Sequence, residues 1–305
     1  HKKDGNVGLS SDHFLNVAAD LSVHIAFLFS AIISHGCVPR DFSVSTIIPI
    51  PKKRNVNSTD SENYRGISLS SLFGKIFDNI VLCKYYDNLC TSDLQFGFRA
   101  NCSTNMCTMV LKETISYYVH NKSPVFCTFL DATKAFDRVN FCKLFHLFVE
   151  RGLPVCIVRT LINMYTGNII RVSWAGITSD YFSALNGVKQ GGVISPVLFC
   201  IYIDNLLLSL SSSGFGCCIG SAFTGALAYA DDIVLICPSP YAMRRLLGLY
   251  DNFAAKFDLK FNASKSQFLV VIPKGMRSAY KNVESCLFSI GGQRLDCVHS
   301  YCHLG

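Results

Sequence analysis

Three carboxylates stand where apolar strands should end. Asp231 and Asp232 lie side by side between two strand-forming runs, Leu227-Ala228-Tyr229-Ala230 and Ile233-Val234-Leu235-Ile236. Asp131 terminates a third run, Val125-Phe126-Cys127-Thr128-Phe129-Leu130, and is followed by Lys134, Phe136 and Asp137. A carboxylate held among apolar residues needs a counter-charge or a metal. If the strand ending at Asp131 lies beside the hairpin tipped by Asp231-Asp232, three carboxylates converge at one sheet edge. Oxygen ligands of that kind suit Mg²⁺ or Mn²⁺, and two such ions about 3.5–4 Å apart can activate a hydroxyl and stabilise a leaving oxygen in phosphoryl transfer. The competing reading of Asp231-Asp232 alone is a tight β-turn with its charges in water.

Other residues carry weaker signals. Gly187-Val188-Lys189-Gln190-Gly191-Gly192 is a glycine-rich loop, and Ser195-Pro196 after it places a capping hydroxyl before a proline at the first helical position. Lys52-Lys53-Arg54 is a basic triplet that taken alone reads as a solvated charge run. Cys297, His299, Cys302 and His303 invite comparison with a zinc site, but their spacing departs from the usual ligand pairs.

The elements that must position these residues follow from periodicity. A β-rich run covers Ser43 to Pro51, and apolar residues at Leu72, Phe73, Ile76, Phe77, Ile80 and Val81 predict a helix between Ser71 and Leu89. Helices are predicted over Phe141–Arg151, capped by Asn140, over Val155–Tyr165, from Val197 to about Leu208, and from Ser239-Pro240 onward. Ile170–Trp174 with Tyr181–Leu185 reads as a hairpin, Phe215–Ile219 and Gln267–Ile272 as strands, and the last residues to Gly305 as a further hairpin. Leu21–Ile33 and Val193–Leu210 are too short or too interrupted to span a membrane and read as core helices.

Composition sets the class. The chain has 305 residues, half of them apolar and only 16% charged, with 28 Lys+Arg against 21 Asp+Glu and a net charge of +7. With a mean hydropathy of +0.31 this is a folded chain with a large core, not a disordered tail or a coiled rod. The positive balance suits a phosphate backbone. Fifteen cysteines, scattered and without a Cys-x-x-Cys pair, read as reduced, buried thiols of an intracellular protein, Cys37, Cys83, Cys127, Cys156, Cys200 and Cys237 among them. The absence of an initiator Met at His1 and of a leader suggests a piece of a longer protein.

Taken in order, these segments resemble reverse transcriptases, most closely the polymerase of LINE-type (non-LTR) retrotransposons. The resemblance runs from about residue 40 to the end. It rests on Pro49-Ile50-Pro51-Lys52-Lys53 with Asn63 to Leu69, on Gln95-Phe96-Gly97-Phe98-Arg99, on Phe129 through Asp137, on Gly187 through Gly191 with Ser195-Pro196, on Tyr229-Ala230-Asp231-Asp232, on Leu259-Lys260-Phe261-Asn262 with Lys265-Ser266, and on Tyr301 to Gly305. It implies an α+β right-hand polymerase fold: an antiparallel palm sheet backed by helices, mostly helical fingers, and no thumb. Fingers would take residues 1–120 and the hairpin 169–186, and palm residues 121–168 and 187–305.

The same resemblance implies the roles. Asp131, Asp231 and Asp232, with the Ala132 carbonyl, would hold two Mg²⁺ or Mn²⁺ ions. Phe136 would be the steric gate against a 2′-hydroxyl, with Tyr229 beside the nucleotide. Arg65, Lys52 and Lys53 would bind the triphosphate, Gln190 and Gly191 would lie against nucleotide or template, and Lys265 would donate a proton to pyrophosphate. RNA template, DNA primer and dNTPs are the implied partners, without a membrane, and nuclear and cytoplasmic location follows from the family alone. Gly66 and Gly192-Val193-Ile194 depart from the family's pattern. An RNA-dependent RNA polymerase and an inactive, at most RNA-binding fragment are the other readings; Phe136 argues against the first.

Overall fold

A computed structural model describes residues 10–16, 20–53, 57, 59–276 and 287–304. In chain order the helices are α1 (Ser11–Leu15), α2 (Asp20–His35), α3 (Arg40–Ser43), α4 (Leu72–Lys84), α5 (Tyr86–Leu89), α6 (Thr104–His120), α7 (Phe141–Glu150), α8 (Val155–Thr166), α9 (Ser195–Ser211) and α10 (Pro240–Phe257). The strands are β1 (Val44–Pro51), β2 (Tyr64–Ser70), β3 (Val125–Leu130), β4 (Ile169–Trp174), β5 (Ile177–Thr178), β6 (Phe182–Ser183), β7 (Cys218–Ile219), β8 (Ala222–Phe223), β9 (Ala226–Tyr229), β10 (Asp232–Cys237), β11 (Gln267–Val271), β12 (Ser289–Ile290), β13 (Gln293–Arg294) and β14 (Asp296–Cys297). The fold is α+β, and the chain divides into two compact units, His1–Leu89 with Val139–Leu198, and Cys90–Arg138 with Phe199–Gly305. These boundaries differ from the expected ones at 120, 168 and 186; in particular α7 and α8 group with the first unit.

In the first unit, β1 is the shared strand: β2 pairs with it antiparallel from Ser45↔Ser70 to Pro51↔Tyr64, and β4 pairs parallel at Val44–Ile47 only. Pro49 and Pro51, which have no amide proton to donate, lie beyond the part of β1 that bonds to two neighbours. Helix α7 buries Phe141, Leu144, Phe145 and Phe148, the i, i+3, i+4, i+7 stripe of an amphipathic helix, and packs on α8.

In the second unit the sheet order is β14-β11-β3-β10-β9. All six residues of β3 are buried, as an all-apolar strand between two neighbours requires. From Phe199 on, helix α9 is apolar nearly all round: Phe199, Ile201, Tyr202, Ile203, Leu206 and Leu207 are all buried, and the Tyr202 hydroxyl donates to the Phe257 carbonyl at 2.6 Å.

Several expectations need correction. The helix predicted over 71–89 breaks at Tyr85 into α4 and α5. Leu21–Ile33 is a helix, but it buries only Phe29 and Ile32, leaving Val23 and Phe27 exposed. The strand predicted at Phe215–Ile219 shrinks to Cys218–Ile219, because Gly214 and Gly216 turn at φ +75° and +112°. Strand β11 stops at Val271, one residue short of Ile272. Of the described thiols, all expected to be buried, Cys37, Cys83, Cys90, Cys142, Cys218, Cys297 and Cys302 are exposed and Cys102 and Cys156 are half-buried. The final hairpin is β12–β13, after which β14 joins β11 in parallel, and Tyr301 to Leu304 form no strand. Helix α6 went unread because threonines, a lysine and a glutamate dilute its apolar stripe. Arg54 and Gly305 lie outside the described residues.

Candidate active site

The strand that ends at Asp131 does lie beside the hairpin that carries Asp231 and Asp232. Strand β10 pairs antiparallel with β3 from Cys237↔Phe126 to Ile233↔Leu130. Continuing that register sets Asp232 across from Asp131 and Asp231 across from Ala132. On its other side β10 pairs with β9, the last pair being Asp232↔Tyr229, so Ala230 and Asp231 form a two-residue hairpin loop. Ala230 takes φ +55° there. Both readings of Asp231-Asp232 therefore describe the same turn: it is tight, Asp231 is half-buried, and Asp232 is exposed rather than enclosed between strands.

The carboxylates repel one another. The Asp232 pKa is raised from 3.8 to about 6, first by desolvation, then by the charges of Asp231 and Asp131. Oxygen donors that strain against each other in this way have the chemistry a divalent cation neutralises. Among the described residues no three His, Cys, Asp or Glu side chains already converge as a closed ligand set, Cys297, His299, Cys302 and His303 included.

The backbone around Asp131 is anchored from the other flank of β3. The Asp131 amide donates to the buried Ser266 hydroxyl at 3.0 Å, and the Asp131 carbonyl accepts from the Asn262 amide at 2.9 Å. The Thr133 amide donates to the Lys260 carbonyl, so Ala132 and Phe261 face each other as a pair that exchanges no bond. In an antiparallel ladder such a residue points its own N–H and C=O away from that partner. The Ala132 carbonyl is thus directed toward the β10 flank, where Asp231 stands. Lys265 is exposed in a turn whose amides at Ser264 and Lys265 donate to Asn262 Oδ1, and the same Asn262 holds Asp131. Phe136 is half-buried and stacks on Phe199 of α9, with centroids 4.9 Å apart and planes 17° apart. Tyr229 is half-buried across the hairpin from Asp232. The Tyr301 ring stacks on Phe129 at 4.0 Å; burial and then the nearby Asp232 and Asp131 raise its phenol pKa.

The first unit assembles the expected phosphate- and base-facing residues separately. Arg65 is exposed on β2 opposite Ile50. Lys52 and Lys53 are exposed at the end of β1, where the Lys52 ammonium donates to the Glu62 carbonyl at 2.7 Å. The Gln190 carbonyl accepts from the Ser68 amide at 2.6 Å, which fastens the glycine-rich loop to the strand that carries Arg65. Gly191 has φ +95°, and a Cβ on it would come within 3.2 Å of Ile67 Cγ2 and the Ser68 carbonyl. A side chain there is excluded twice, by backbone and by space. At Gly66 the departure from the family's pattern also has a steric partner, since a Cβ would meet Ile47 Cγ2 at 3.0 Å.

Some residues of consequence carried no sequence signal. Asp78 on α4 is buried and accepts hydrogen bonds from the Val193 and Ile194 amides, holding the far end of the same loop. Its pKa is raised to about 6 by burial, an effect opposed by the charge of Lys189; burial lowers Lys189 to about 8, and Asp78 opposes that in turn. Only the place of Asp78 beside Phe77 on the apolar stripe could have marked it. Ser266 and Gln95, both wholly buried, stood within motifs but without an assigned part.

Residues 50–289 match the family described as reverse transcriptase (RNA-dependent DNA polymerase). Among curated proteins, the chain is similar to the Pol polyprotein of the type-2 retrotransposable element R2DM of Drosophila melanogaster, 28% identical over 85% of this chain and 24% of that protein. It is also similar to the RNA-directed DNA polymerase of the mobile element jockey of D. melanogaster, 24% identical over 79% of the chain and 27% of that protein. The chain thus spans about a quarter of the length of these relatives. Among solved structures, telomerase from Candida tropicalis, in complex with a fragment of telomeric RNA, shares the fold with a TM-score of 0.54 and 15% identity over 80% of this chain and 44% of that one. The extent of the family match, together with R2 and jockey relatives, shows that the chain belongs to the reverse transcriptase family and is the reverse transcriptase domain of a LINE-type (non-LTR) element.

Proposed function

We propose that this domain copies an RNA template into DNA, adding deoxynucleotides to a primer 3′-hydroxyl. The observation that carries the reading is the register that brings Asp131 and the Asp231-Asp232 turn to adjacent strand ends. Asp131, Asp231 and Asp232, with the Ala132 carbonyl, are the groups that would hold two Mg²⁺ or Mn²⁺ ions. Such ions, when bound, favour the alkoxide form of the primer hydroxyl and offset charge on the departing pyrophosphate. Phe136, stiffened by its stack on Phe199, is the ring that would exclude a ribose 2′-hydroxyl. Arg65, Lys52 and Lys53 bind triphosphate oxygens, for which guanidinium and ammonium groups are suited. Gln190 and Gly191 lie against nucleotide or template, and Lys265 gives a proton to pyrophosphate. No helix among the described residues is long and apolar enough to cross a membrane; action at chromosomal DNA, and hence in the nucleus, belongs to the same reading.

Primer extension on poly(rA)/oligo(dT) with Mg²⁺ tests it: DNA synthesis that stops on chelation is expected, and no incorporation with either Mg²⁺ or Mn²⁺ would overturn it. Phe136→Val tests the gate separately. Removing the ring should raise ribonucleotide over deoxynucleotide incorporation by about 10- to 100-fold, the scale of a lost steric exclusion. An unchanged ratio would show that the ring serves packing on Phe199 alone.

A further inference from the structure

The catalytic hairpin carries a conformational cost at one residue. Ala230 has φ +55°, a left-handed conformation that a two-residue loop wants but a residue with a Cβ resists. Such a conformation persists only where the surroundings impose it. What imposes it here lies 135 residues earlier in the chain, in the segment Leu94–Gly97. The Ala228 amide donates to the Leu94 carbonyl at 2.9 Å, and the Phe96 amide to the Ala228 carbonyl at 2.8 Å, a parallel bridge that adds this segment to the free edge of β9. Between those two bonds the Gln95 side chain, wholly buried, turns into the hairpin. Its Oε1 accepts from the Ala230 amide at 2.9 Å and from the Gly97 amide at 2.8 Å, and its Nε2 faces the Ala230 carbonyl at 3.5 Å.

We propose that Gln95 is a positioning residue for catalysis: one buried primary amide holds both the N–H and the C=O of Ala230 and so fixes the backbone from which Asp231 and Asp232 project. No other common side chain of this length is neutral and offers an acceptor and a donor from one rigid plane. Glutamate would bury a charge beside the Asp231-Asp232 turn; leucine and methionine would leave two buried amides unsatisfied. Gly97 completes the clamp by close approach, since a Cβ there would collide with the Ala230 amide nitrogen. The hydrogen bonds of the Gln95 side chain all go to backbone groups of Ala230 and Gly97. The clamp acts through the Ala230 backbone.

This inference rests on the proposed polymerase activity, so its test has one arm that does not. In the unsubstituted chain, residue-resolved hydrogen exchange should find the Ala230 amide protected at least about 100-fold over a free turn amide, with Gly97 protected likewise. Rapid exchange of Ala230 would overturn the clamp whatever the activity. In the second arm, Gln95→Met keeps volume and removes all three polar contacts. The expected result is a kcat lowered about 10- to 100-fold with KM for dNTP and affinity for RNA within about threefold of wild type, and partial recovery of kcat in Gln95→Met/Ala230→Gly, where glycine adopts φ > 0 without strain. Unchanged kcat, or a KM that rises and an RNA affinity that falls in step with the loss of kcat, would assign Gln95 to general packing. An inactive unsubstituted chain would count against the polymerase reading and leave the exchange result to decide the clamp.

Discussion

Asp231→Asn is expected to lower primer extension at least about 1,000-fold while leaving the Tm unchanged or slightly raised. The first half follows from the role proposed for the carboxylate: losing a ligand of the cation that would offset charge at the reacting phosphate removes about 4 kcal/mol of transition-state stabilisation for each thousandfold. The second half follows from electrostatics in the absence of cation. Asp232 sits at a pKa of about 6 partly because Asp231 and Asp131 are charged beside it, so neutralising Asp231 relieves repulsion in the folded protein. The two effects have opposite signs, the pattern of a site held against its own stability. Template binding measured by filter retention should stay within about threefold of wild type. Extension within tenfold of wild type by Asp231→Asn would end the metal-ligand assignment, and a large fall in Tm would mean that the turn needs this carboxylate structurally.

The other large effect is at Asp78. Asp78→Asn leaves Lys189 without its counter-charge and two loop amides sharing one acceptor, at a cost of about 3 kcal/mol, the scale for removing one partner of a buried pair. Asp78→Asn/Lys189→Met removes both charges and should recover most of that loss. The pH dependence separates this pair from its neighbours. Asp78 has a folded pKa of about 6, above the ordinary 3.8, so the stability it contributes is full below 3.8 and is lost as pH rises through 6. Lys189, at about 8 against 10.5, contributes stability that is full above 10.5 and is lost as pH falls through 8. The wild-type chain should therefore lose stability relative to the double variant between pH 4 and 6 and regain it above pH 8, as read by denaturant unfolding at a series of pH values. A difference that stays flat with pH would show that neither group is buried in solution. Equal stability of Asp78→Asn and wild type at pH 7 would show that the loop is held by Ser68 and the backbone alone.

What could be read in advance divides along a physical line. Asp131, Asp231 and Asp232 were legible because strand periodicity is local, and a charge at the end of an apolar run violates it visibly. The register that joins them was legible only as a condition, since nothing between residues 131 and 231 states which strands pair. Gln95, Ser266 and Asp78 were not legible as parts. Each acts on backbone groups far away in sequence, Gln95 on Ala230, Ser266 on Asp131 and Asp78 on Val193 and Ile194, and a buried amide or hydroxyl looks the same in a string of letters whether or not it has such a partner. Helix α6 escaped for a different reason: it buries a narrow face, Cys107, Leu111 and Thr114, too thin to stand out among threonines and tyrosines. The thiols were misplaced where a cysteine sits on the outward side of an otherwise apolar helix, as Cys83 does on α4.

The parallel bridge at Gln95↔Ala228 bears on order of assembly. Hairpin β9–β10 can close on its own, because its partners are neighbours in the chain, yet its tip keeps an unfavourable Ala230 until residues 94–97 arrive. Those residues are synthesised first and have no strand to pair with until β9 exists. The segment that waits for β9 is therefore also the one that completes the turn, and a chain cut between residues 97 and 226 would yield two pieces, neither able to set the Ala230 turn without the other.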